Sequence, residues 1–361
     1  MNIKLYLICF LLTTFMAAAS AQLETSSDLS TLELLETLLG EGIQANTLTF
    51  TGESTQQGSF NATATNLGLY SGIMLSTGEI HAAAGPNDVS GSSYAHNAPG
   101  DFDLDNILSS SIPTFDAAVI EFNFIPQFNT LLLDYVFASE EYPEFVCSEF
   151  NDIFAFLLSG PKPDGGSYNK YNVAMIPGTT LPVAINTINP GEPIGNGCTG
   201  SAGSLEYSDL YIDNSGGTFI QYDGFTVPLQ MTTPVIAGET YTIKIAIADV
   251  GDAVFDSAVF LVGNSFKSLQ ITDIEDVEHL NTFNIQPNPS NGRFVIHAEF
   301  ELTQTATIQI INALGQEIYQ SKNMKKHITE QINISDAPIG TYFVILQTEN
   351  GKAVQKIAIS R

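Results

Sequence analysis

Three short acidic runs contain the side chains of this sequence that are best suited to bind a metal ion. The first is DFDLD at 101–105, where Asp101, Asp103 and Asp105 alternate with apolar residues. On an extended chain, side chains repeat every two residues, so these three carboxylates would point the same way. Such a set suits Ca²⁺, which takes six to eight oxygen ligands. The run lacks the Gly and Glu positions of an EF-hand, and a solvated acidic loop is the alternative interpretation.

The second run is SEEYPE at 139–144, followed by Asp152. It lies at the end of a predicted strand, where Pro143 would interrupt the ladder. Its candidate ligands are Glu141 and Glu144, together with Asp152. Glu140 and Glu141 are neighbours, so on an extended chain they face opposite ways. They are therefore a poor acid and base pair, because the carboxylates of a glycosidase must converge across one bond.

The third run contains Asp249, Asp252 and Asp256 around Gly251, between two apolar segments. Three carboxylates in eight residues again suit Ca²⁺, and the alternative is that Asp side chains cap a turn through its backbone. A shared Ca²⁺ site is expected if the fold brings the second and third runs together, which the sequence does not show. No catalytic residue is predicted.

Two cysteines, Cys147 and Cys198, remain once a predicted signal peptide is removed. An even count in an oxidising compartment predicts one disulfide. In the chain-entropy estimate, closing a loop of this length stabilises the fold by about 4 kcal/mol.

The N-terminal segment predicts export. A single positive charge at Lys4 precedes an apolar run at 5–15 and the small residues Ala19-Ser20-Ala21. This pattern fits a signal peptide cleaved between Ala21 and Gln22. The apolar run is shorter than the roughly 20 residues that span a bilayer.

Charge is distributed unevenly and indicates a domain boundary. Residues 22–269 contain 29 Asp and Glu but only four Lys, a net charge of −25, whereas residues 270–361 have a net charge of −3. Such an acidic body repels nucleic acid and anionic membranes, so no nucleic-acid partner is expected. Solubility through net charge is the simpler explanation of the same composition.

The spacing of apolar residues predicts an all-β protein. A helix is expected only at 29–39, where Ser30 and Glu33 fit a capping box. Short segments rich in Val, Ile, Phe, Tyr and Thr follow, separated by Gly, Pro, Asn and Asp. We expect a large antiparallel β-sandwich or jelly-roll-like domain at 22–268, a linker at 269–282 and a small C-terminal β-sandwich at 283–361.

The C-terminal segment resembles the type A sorting domain of the type IX secretion system of Bacteroidetes. The resemblance rests on FNIQPNPSNG at 283–292, NALGQ at 312–316, PIGTYFV at 338–344 and KIAISR at 356–361. It implies passage through the type IX secretion machinery and removal of the segment by a sortase-like peptidase. The mature protein would then be attached to surface lipopolysaccharide or released.

The body resembles choice-of-anchor L domains over about 40–265. The matching runs are NLGLYSGIMLSTG at 66–78, DAAVIEF at 116–122, YVFASEEYPEF at 135–145, FNDIF at 150–154, IPGTT at 176–180, IADVGD at 247–252 and FDS at 255–257. The activity of that family is poorly defined, so this resemblance implies location better than function.

Together these features predict a secreted or surface-attached protein that is not an enzyme: an adhesin or carbohydrate-binding module, stabilised by Ca²⁺, with a glycan or other surface ligand. A secreted, glycosidase-like hydrolase is one alternative, and it would need two convergent carboxylates or a metal-bound water. A structural protein of the cell envelope is the other.

Overall fold

Antiparallel strands dominate the computed structural model, which describes residues 22–108, 112–192, 203–270, 279–312, 316–348 and 351–360. The all-β prediction is confirmed. The predicted signal peptide, with Ala21 of its cleavage site, lies outside these residues, and Gln22 is the first residue described. Within the described ranges, no helix has the length and apolar character needed to cross a membrane.

The N-terminal helix α1 (Thr31–Leu38) begins as the sequence predicts. Ser30 is the N-cap, and its side chain and that of Glu33 form both bonds of a capping box. Leu34, Leu35 and Leu38 are buried, whereas Leu32 is 53% exposed. The buried stripe of the helix therefore runs through Leu34, Leu35 and Leu38 and leaves Leu32 facing solvent.

A second helix, α2 (Phe102–Leu108), occupies the stretch that we expected to be an extended acidic loop. The side chain of Asp101 accepts hydrogen bonds from the backbone N–H groups of Asp103 and Leu104, at 3.0 and 3.3 Å. This is N-terminal capping, which favours a helix at this position. Leu104 is fully buried, so its packing also stabilises this helix.

The body is built from fourteen described strands in two antiparallel sheets. They are β1 (Glu24–Ser26), β2 (Ile43–Thr51), β3 (Gln57–Asn61), β4 (Ser71–Ser76), β5 (Thr114–Pro126), β6 (Thr130–Ser139), β7 (Ile153–Pro161), β8 (Ser167–Asn172), β9 (Tyr211–Asp213), β10 (Gly224–Thr226), β11 (Leu229–Pro234), β12 (Tyr241–Val250), β13 (Ser257–Val262) and β14 (Lys267–Leu269). The larger sheet has the order β1-β3-β4-β13-β6-β10-β9, and β11 and β14 also pair with β6. The smaller sheet has the order β2-β5-β12-β7-β8.

The main core lies between these two sheets. Alternate residues of β6, including Tyr135 and Phe137, pack with alternate residues of β7, including Phe154 and Phe156. The Tyr135 ring meets those of Phe154 and Phe156 edge-on, with the Tyr135 and Phe156 centroids 4.9 Å apart, and Phe137 stacks on Phe154. Such aromatic contacts are favourable beyond simple burial.

Both sheets are also covered on their outer faces. Loops and the 3₁₀ turn Ile80–Ala83 cover the larger sheet, and α2 with the segment around Ala184 covers the smaller one. Every residue of β6 is buried in consequence, which explains its nearly continuous apolar sequence.

The C-terminal segment forms its own five-stranded sheet and its own core. Its strands are β15 (Leu280–Gln286), β16 (Arg293–Asn312), β17 (Glu317–Asn333), β18 (Gly340–Thr348) and β19 (Gly351–Ile359). The ladder between β16 and β17 is irregular between Glu299 and Gln304. Apolar residues on both sides of this irregularity nevertheless belong to one core, so β16 contributes to that core along most of its length.

Candidate functional site

Five buried carboxyl groups gather at one end of the body, and we call them the carboxylate cluster. They are Glu140 and Glu141 after β6, Asp152 before β7, Asp249 near the end of β12 and Asp256 before β13. Strand pairing brings these strand ends together, since Ser257 is opposite Ser139 and Ala248 is opposite Ile153. The structure thus unites the second and third acidic runs of the sequence.

Asp152 ties the two sheets together. Its Oδ1 accepts the N–H of Val250 at 2.9 Å, and its Oδ2 accepts the hydroxyl of Ser257 at 2.6 Å. Burial nevertheless raises the pKa of Asp152 to about 7, against the lowering effect of these two bonds.

Asp249 lies beside Asp152 and is 1% exposed. Neither of its carboxyl oxygens makes a hydrogen bond of ordinary geometry, although the Thr77 hydroxyl is near enough to favour the charged form. Burial, and then the charge of Asp152, raise the pKa of Asp249 well above its usual value. The charged form of Asp249 is thus unfavourable unless a proton or a cation compensates it.

Glu140 faces a different set of groups. It is 2% exposed, and both of its carboxyl oxygens are buried without a hydrogen bond of ordinary geometry. Burial, and then the charge of Asp223, raise its pKa to about 9 against the opposing effect of the Ser92 backbone and the Gln221 side chain.

Glu141 belongs to the Asp152 side of the cluster. Its Oε2 is buried and has no hydrogen-bond partner. Burial raises its pKa to about 10, and the charges of Asp152, Asp252 and Glu144 contribute in the same direction. Glu144 is exposed and Asp252 partly exposed, so these two predicted ligands lie at the rim.

Among the described residues, no Lys or Arg forms an ion pair with the cluster. An unpaired buried ion costs several kcal/mol, by order of magnitude. Near neutral pH, therefore, protons or a bound cation must compensate part of this charge. In the described part of the chain, no group of three or more His, Cys, Asp or Glu side chains is placed so that it could hold a metal ion, and the Ca²⁺ site remains a prediction.

Two buried aspartates hold the segment 84–100, which we call the anchored loop. The carboxylate of Asp256 accepts the N–H of Tyr94 at 2.9 and 3.1 Å. The carboxylate of Asp116 accepts the N–H groups of His96, at 2.8 Å, and Ala98. Burial raises the pKa of Asp256 to about 6 although the Tyr94 bond lowers it. These contacts fix the course of the loop through its backbone.

Gly78 makes room for this arrangement. A Cβ atom at position 78 would lie 1.8 Å from Oδ2 of Asp256. Real atoms do not approach so closely, so any larger residue would displace the carboxylate that holds Tyr94.

An open groove of about 310 Å³ lies between the anchored loop and the segments around 143 and 215, and we call it the acidic groove. Its lining residues are Asn87, Asp88, Ser90, Pro143, Glu144, Ser215, Gly216 and Asp223. Amide, hydroxyl and carboxyl groups therefore provide most of its surface.

Hydrogen bonds fix the walls of the groove. The Asn87 side chain donates to Asp223 Oδ1 at 2.8 Å and to the carbonyl of Asn214 at 3.0 Å. The N–H of Asn87 donates to the carbonyl of Gly217 at 2.8 Å. Burial raises the pKa of Asp223, the Asn87 bond opposes this, and Asp213 adds to it.

The first acidic run lies elsewhere and is already paired. The Lys244 Nζ is 2.6 Å from Oδ2 of both Asp101 and Asp103, and Lys170 Nζ is 2.9 Å from Asp103. Asp105 accepts bonds from the N–H and the hydroxyl of Thr114, both at 2.8 Å. The expectation that these three carboxylates share one side of an extended chain is wrong, because the segment is helical and lysines neutralise it.

Cys147 is buried, and its N–H donates to Asn186 Oδ1 at 2.6 Å. Cys198 lies outside the described residues, so the disulfide remains a prediction.

Three buried acids were not predicted as site residues: Glu140, which belongs to the cluster, and its neighbours Asp116 and Asp223. Glu140 was visible as half of a Glu-Glu pair next to an apolar strand, which is an unusual place for two charges. Asp116 and Asp223 are isolated in sequence and become neighbours of the cluster only through the fold, so no local signal identified them.

Comparison with known protein families gives two matches. The choice-of-anchor L domain matches residues 22–267, and the secretion system C-terminal sorting domain matches residues 284–360. No curated protein matches the chain at a significant level.

Solved structures give only a faint likeness. Complexes of a β-glucuronidase from Ruminococcus gnavus, with D-glucaro 1,5-lactone and with uronic isofagomine, match at 9% identity and a TM-score of 0.18. The match covers 76% of this chain but only 39% of the glucuronidase, so the chain spans about two-fifths of the length of these structures. A likeness this weak carries no argument about fold or activity.

The match to the first family covers most of the chain, and the second gives its export route. The chain belongs to the choice-of-anchor L domain family, and its C-terminal sorting domain directs it through type IX secretion to the cell surface or the exterior.

Proposed function

We propose that the body is a non-enzymatic binding module, an adhesin or carbohydrate-binding module that acts outside the cell. The acidic groove is the observation that carries this proposal. It presents amide, hydroxyl and carboxyl groups from three segments of the chain, held by the Asn87 hydrogen bonds. Pre-formed concave sites with a few fixed polar groups are typical of ligand binding.

The groups that line the groove suit sugar hydroxyls, which both donate and accept hydrogen bonds. Carboxylates accept such bonds, and the side chains of Asn and Ser do both. Aromatic rings can also stack on a sugar: Tyr94 on the anchored loop is 50% exposed and could do so, whereas Tyr142 is fully buried and unsuited. The groove and Tyr94 lie on the same loop, which supports one binding surface at this end of the body.

In this proposal Ca²⁺ acts as a stabilising ion at the carboxylate cluster, although no three acids of the described chain are placed to hold a metal ion by themselves. Asp249 and Glu141 have buried oxygens without a hydrogen bond of ordinary geometry, and Asp152 acts electrostatically on both; carboxylate oxygens are the hard donors that Ca²⁺ prefers. Backbone carbonyls and water would complete its shell. This ion would act on stability and on the position of the anchored loop.

Burial weighs against a hydrolase. Glu140 and Glu141 are 2% and 1% exposed, so a glycosidic bond has no access to either carboxyl group. Their charged neighbours also differ, which does not suit two carboxylates that must act across one bond.

After export, we propose that a sortase-like peptidase removes the sorting domain and that the body is attached to surface lipopolysaccharide or released. Mass spectrometry of the outer-membrane and culture fractions tests this step. A body that ends near residue 270–283 is expected, and an intact C terminus at the surface would contradict removal.

Glycan-array binding of the mature chain, with Ca²⁺ and with EDTA, tests the binding function. We expect one class of glycans to bind, and Asp223→Asn to weaken that binding. Asp164→Asn removes the same charge from the exposed turn between β7 and β8 and serves as the control. Absence of binding to every glycan would overturn the proposal. Turnover of a polysaccharide library that is lost in Glu141→Gln would favour the hydrolase instead.

A further inference from the structure

We propose that the body carries a second carbohydrate site, a groove that binds neutral β-linked glucans by stacking a sugar ring on Tyr171. We call it the tyrosine groove. It rests on the proposed carbohydrate-binding function, which it extends to a different part of the body, and it does not involve the acidic groove.

The tyrosine groove has a volume of about 340 Å³ and is lined by residues of β8, of β11 and of the segment after β8. β11 pairs with residues 130–135 of β6, and β8 pairs with residues 157–161 of β7. The carboxylate cluster lies instead where β6 ends and β7 begins. The two sites therefore occupy different ends of these strands.

Two tyrosine rings contribute to the lining of this groove. The centroids of Tyr168 and Tyr171 are 6.0 Å apart, although side chains three residues apart on a regular strand face opposite ways. Lys170 between them has a left-handed backbone, with φ of 47°, and the ladder of β7 with β8 is irregular between Leu158 and Gly160. Such an irregularity redirects side chains, and here it brings both rings to the same groove.

Neighbouring groups hold the two rings. Tyr168 is 8% exposed, and its hydroxyl donates to the carbonyl of Pro234 at 2.9 Å. The Lys162 Nζ lies 5.0 and 5.3 Å from the centroids of Tyr168 and Tyr171, a cation–π arrangement, and Lys162 is not part of the groove lining. Tyr171 is 47% exposed. A held but accessible aromatic ring loses little conformational freedom when a ligand stacks on it.

Gln230 adds a polar group whose position is fixed. Its side chain lines the groove and donates to Asp134 Oδ1 at 2.7 Å, and Asp134 is 8% exposed. Thr232 on the same strand is exposed and also lines the groove. Amide and hydroxyl groups both donate and accept hydrogen bonds, and aromatic side chains with a few placed polar groups are typical of ligand sites.

The charge of the lining favours a neutral ligand. The described residues that line the tyrosine groove include no Asp or Glu, although residues 22–269 have a net charge of −25. Their one cation is Lys356 of β19, which belongs to the sorting domain. An anionic glycan would be repelled by the field of the acidic body, and a cationic glycan would meet no carboxylate in this lining.

β-Linked glucose fits such a lining. Its ring substituents are equatorial, so the faces of the ring present C–H groups that can pack on the aromatic face of Tyr171. Its hydroxyls surround the edge of the ring, where Gln230 and Thr232 can exchange hydrogen bonds with them.

Calorimetry with cellotetraose and laminaritetraose tests the inference on the full chain from Gln22. We expect at least one of these neutral tetramers to bind. Its affinity should change less than about twofold when salt is raised from about 50 to about 500 mM, because screening acts on charges.

Variants at exposed tyrosines locate the binding site. Tyr171→Ala should weaken binding at least about tenfold, since it removes the stacking ring, whereas Tyr171→Phe keeps the ring and should bind nearly as tightly as the parent. Tyr70→Ala is the matched control, because Tyr70 is 64% exposed and does not line the groove. Equal Tm values of the variants would show that the fold is retained.

Two results would overturn the inference: absence of binding to both tetramers, or a Tyr171→Ala variant that binds as tightly as the parent. If glycan-array binding is still weakened by Asp223→Asn, either result rejects the tyrosine groove and leaves the proposed function in place. A blank array together with no binding of the tetramers would reject both.

Discussion

Glu140 and Glu141 are adjacent in the chain, yet different charged neighbours influence the pKa values of their buried carboxyl groups. Glu140 is influenced by Asp223, which lines the acidic groove, whereas Glu141 is influenced by Asp152 at the junction of the two sheets. At the end of β6, one of two adjacent glutamates therefore interacts with a residue of the acidic groove, and the other interacts with a residue that joins the two sheets. Each side has its own testable consequence.

Stability should fall as pH rises when no divalent cation is present. The pKa values of Glu140, Glu141 and Asp152 are raised to about 9, 10 and 7 from ordinary values near 4. Carboxyls with raised pKa contribute stability that is complete below their unfolded pKa and is lost as pH rises through the folded values. We expect the free energy of unfolding in EDTA to drop by at least about 2 kcal/mol between pH 5 and pH 9. Urea titrations measure it, and Ca²⁺ should reduce the drop. Stability that increases over this range would contradict the prediction.

Asp249→Asn should stabilise the protein at pH 8 in EDTA. The substitution keeps the shape of an unpartnered buried group and removes its charge, so we expect a gain of about 1–2 kcal/mol. The same variant should lose most of the increase in Tm that Ca²⁺ gives the parent.

Asp252→Asn is the matched control for this variant. Asp252 Oδ1 accepts the N–H of Val254 at 3.1 Å, a bond that Asn can keep, and the residue lies at the partly exposed rim. Its stability should change little. A loss of stability in Asp249→Asn in EDTA would contradict the prediction that the buried charge of Asp249 destabilises the folded protein.

Lys244→Met should destabilise the region around α2. The Lys244 side chain is 13% exposed and bridges Asp101 and Asp103, whereas Lys170 is 57% exposed and contacts Asp103 from solvent. We expect a cost of about 2–3 kcal/mol for Lys244→Met, below the range for fully buried pairs. Lys170→Met should cost less than about 1 kcal/mol. Denaturant midpoints compare the two, and equal effects would show that burial does not distinguish them.

Gly78→Ala should disturb the anchored loop through Asp256. The added Cβ would lie 1.8 Å from Oδ2 of Asp256, and we expect a cost of about 1–3 kcal/mol. Hydrogen exchange at the Tyr94 amide should accelerate. A double-mutant cycle with Asp256→Ala should show strong non-additivity, and additive effects would place the damage elsewhere.

Reduction should reveal the predicted bond between Cys147 and Cys198. Peptide mapping without reductant should recover one linked pair, and Cys147→Ser should cost about 4 kcal/mol in the chain-entropy estimate. Free thiols at both positions in the exported protein would reject the pairing.

The sequence predicts the general fold well because that prediction depends on local pattern. The Ser30 and Glu33 cap and the apolar period of the strands are local signals, and they identified α1 and the all-β class. The same reasoning was wrong at Asp101, Asp103 and Asp105, since alternation of polar and apolar residues over five positions is compatible with a helix once Asp101 caps it and Leu104 is buried.

The candidate site was predictable only in part, for a different reason. Its acids come from the ends of four strands, and whether they meet depends on the register of β6 with β13 and of β7 with β12. The acidic runs of the sequence indicated Glu141, Asp152 and Asp249 as candidate ligands, but they could not show which residues would be their neighbours. Asp223 and the groove depend on the Asn87 contacts, which have no sequence signature.

The anchored loop is held through its main chain, by N–H groups bonded to the carboxylates of Asp116 and Asp256. Amide hydrogens are common to all residues except proline, so this mode of attachment is indifferent to most side chains between the two fixed points. Evolution can therefore alter what the loop displays without rebuilding the scaffold that supports it. Related proteins that share these two aspartates are expected to differ most in their loop side chains, and with them in the chemical groups that this end of the body presents.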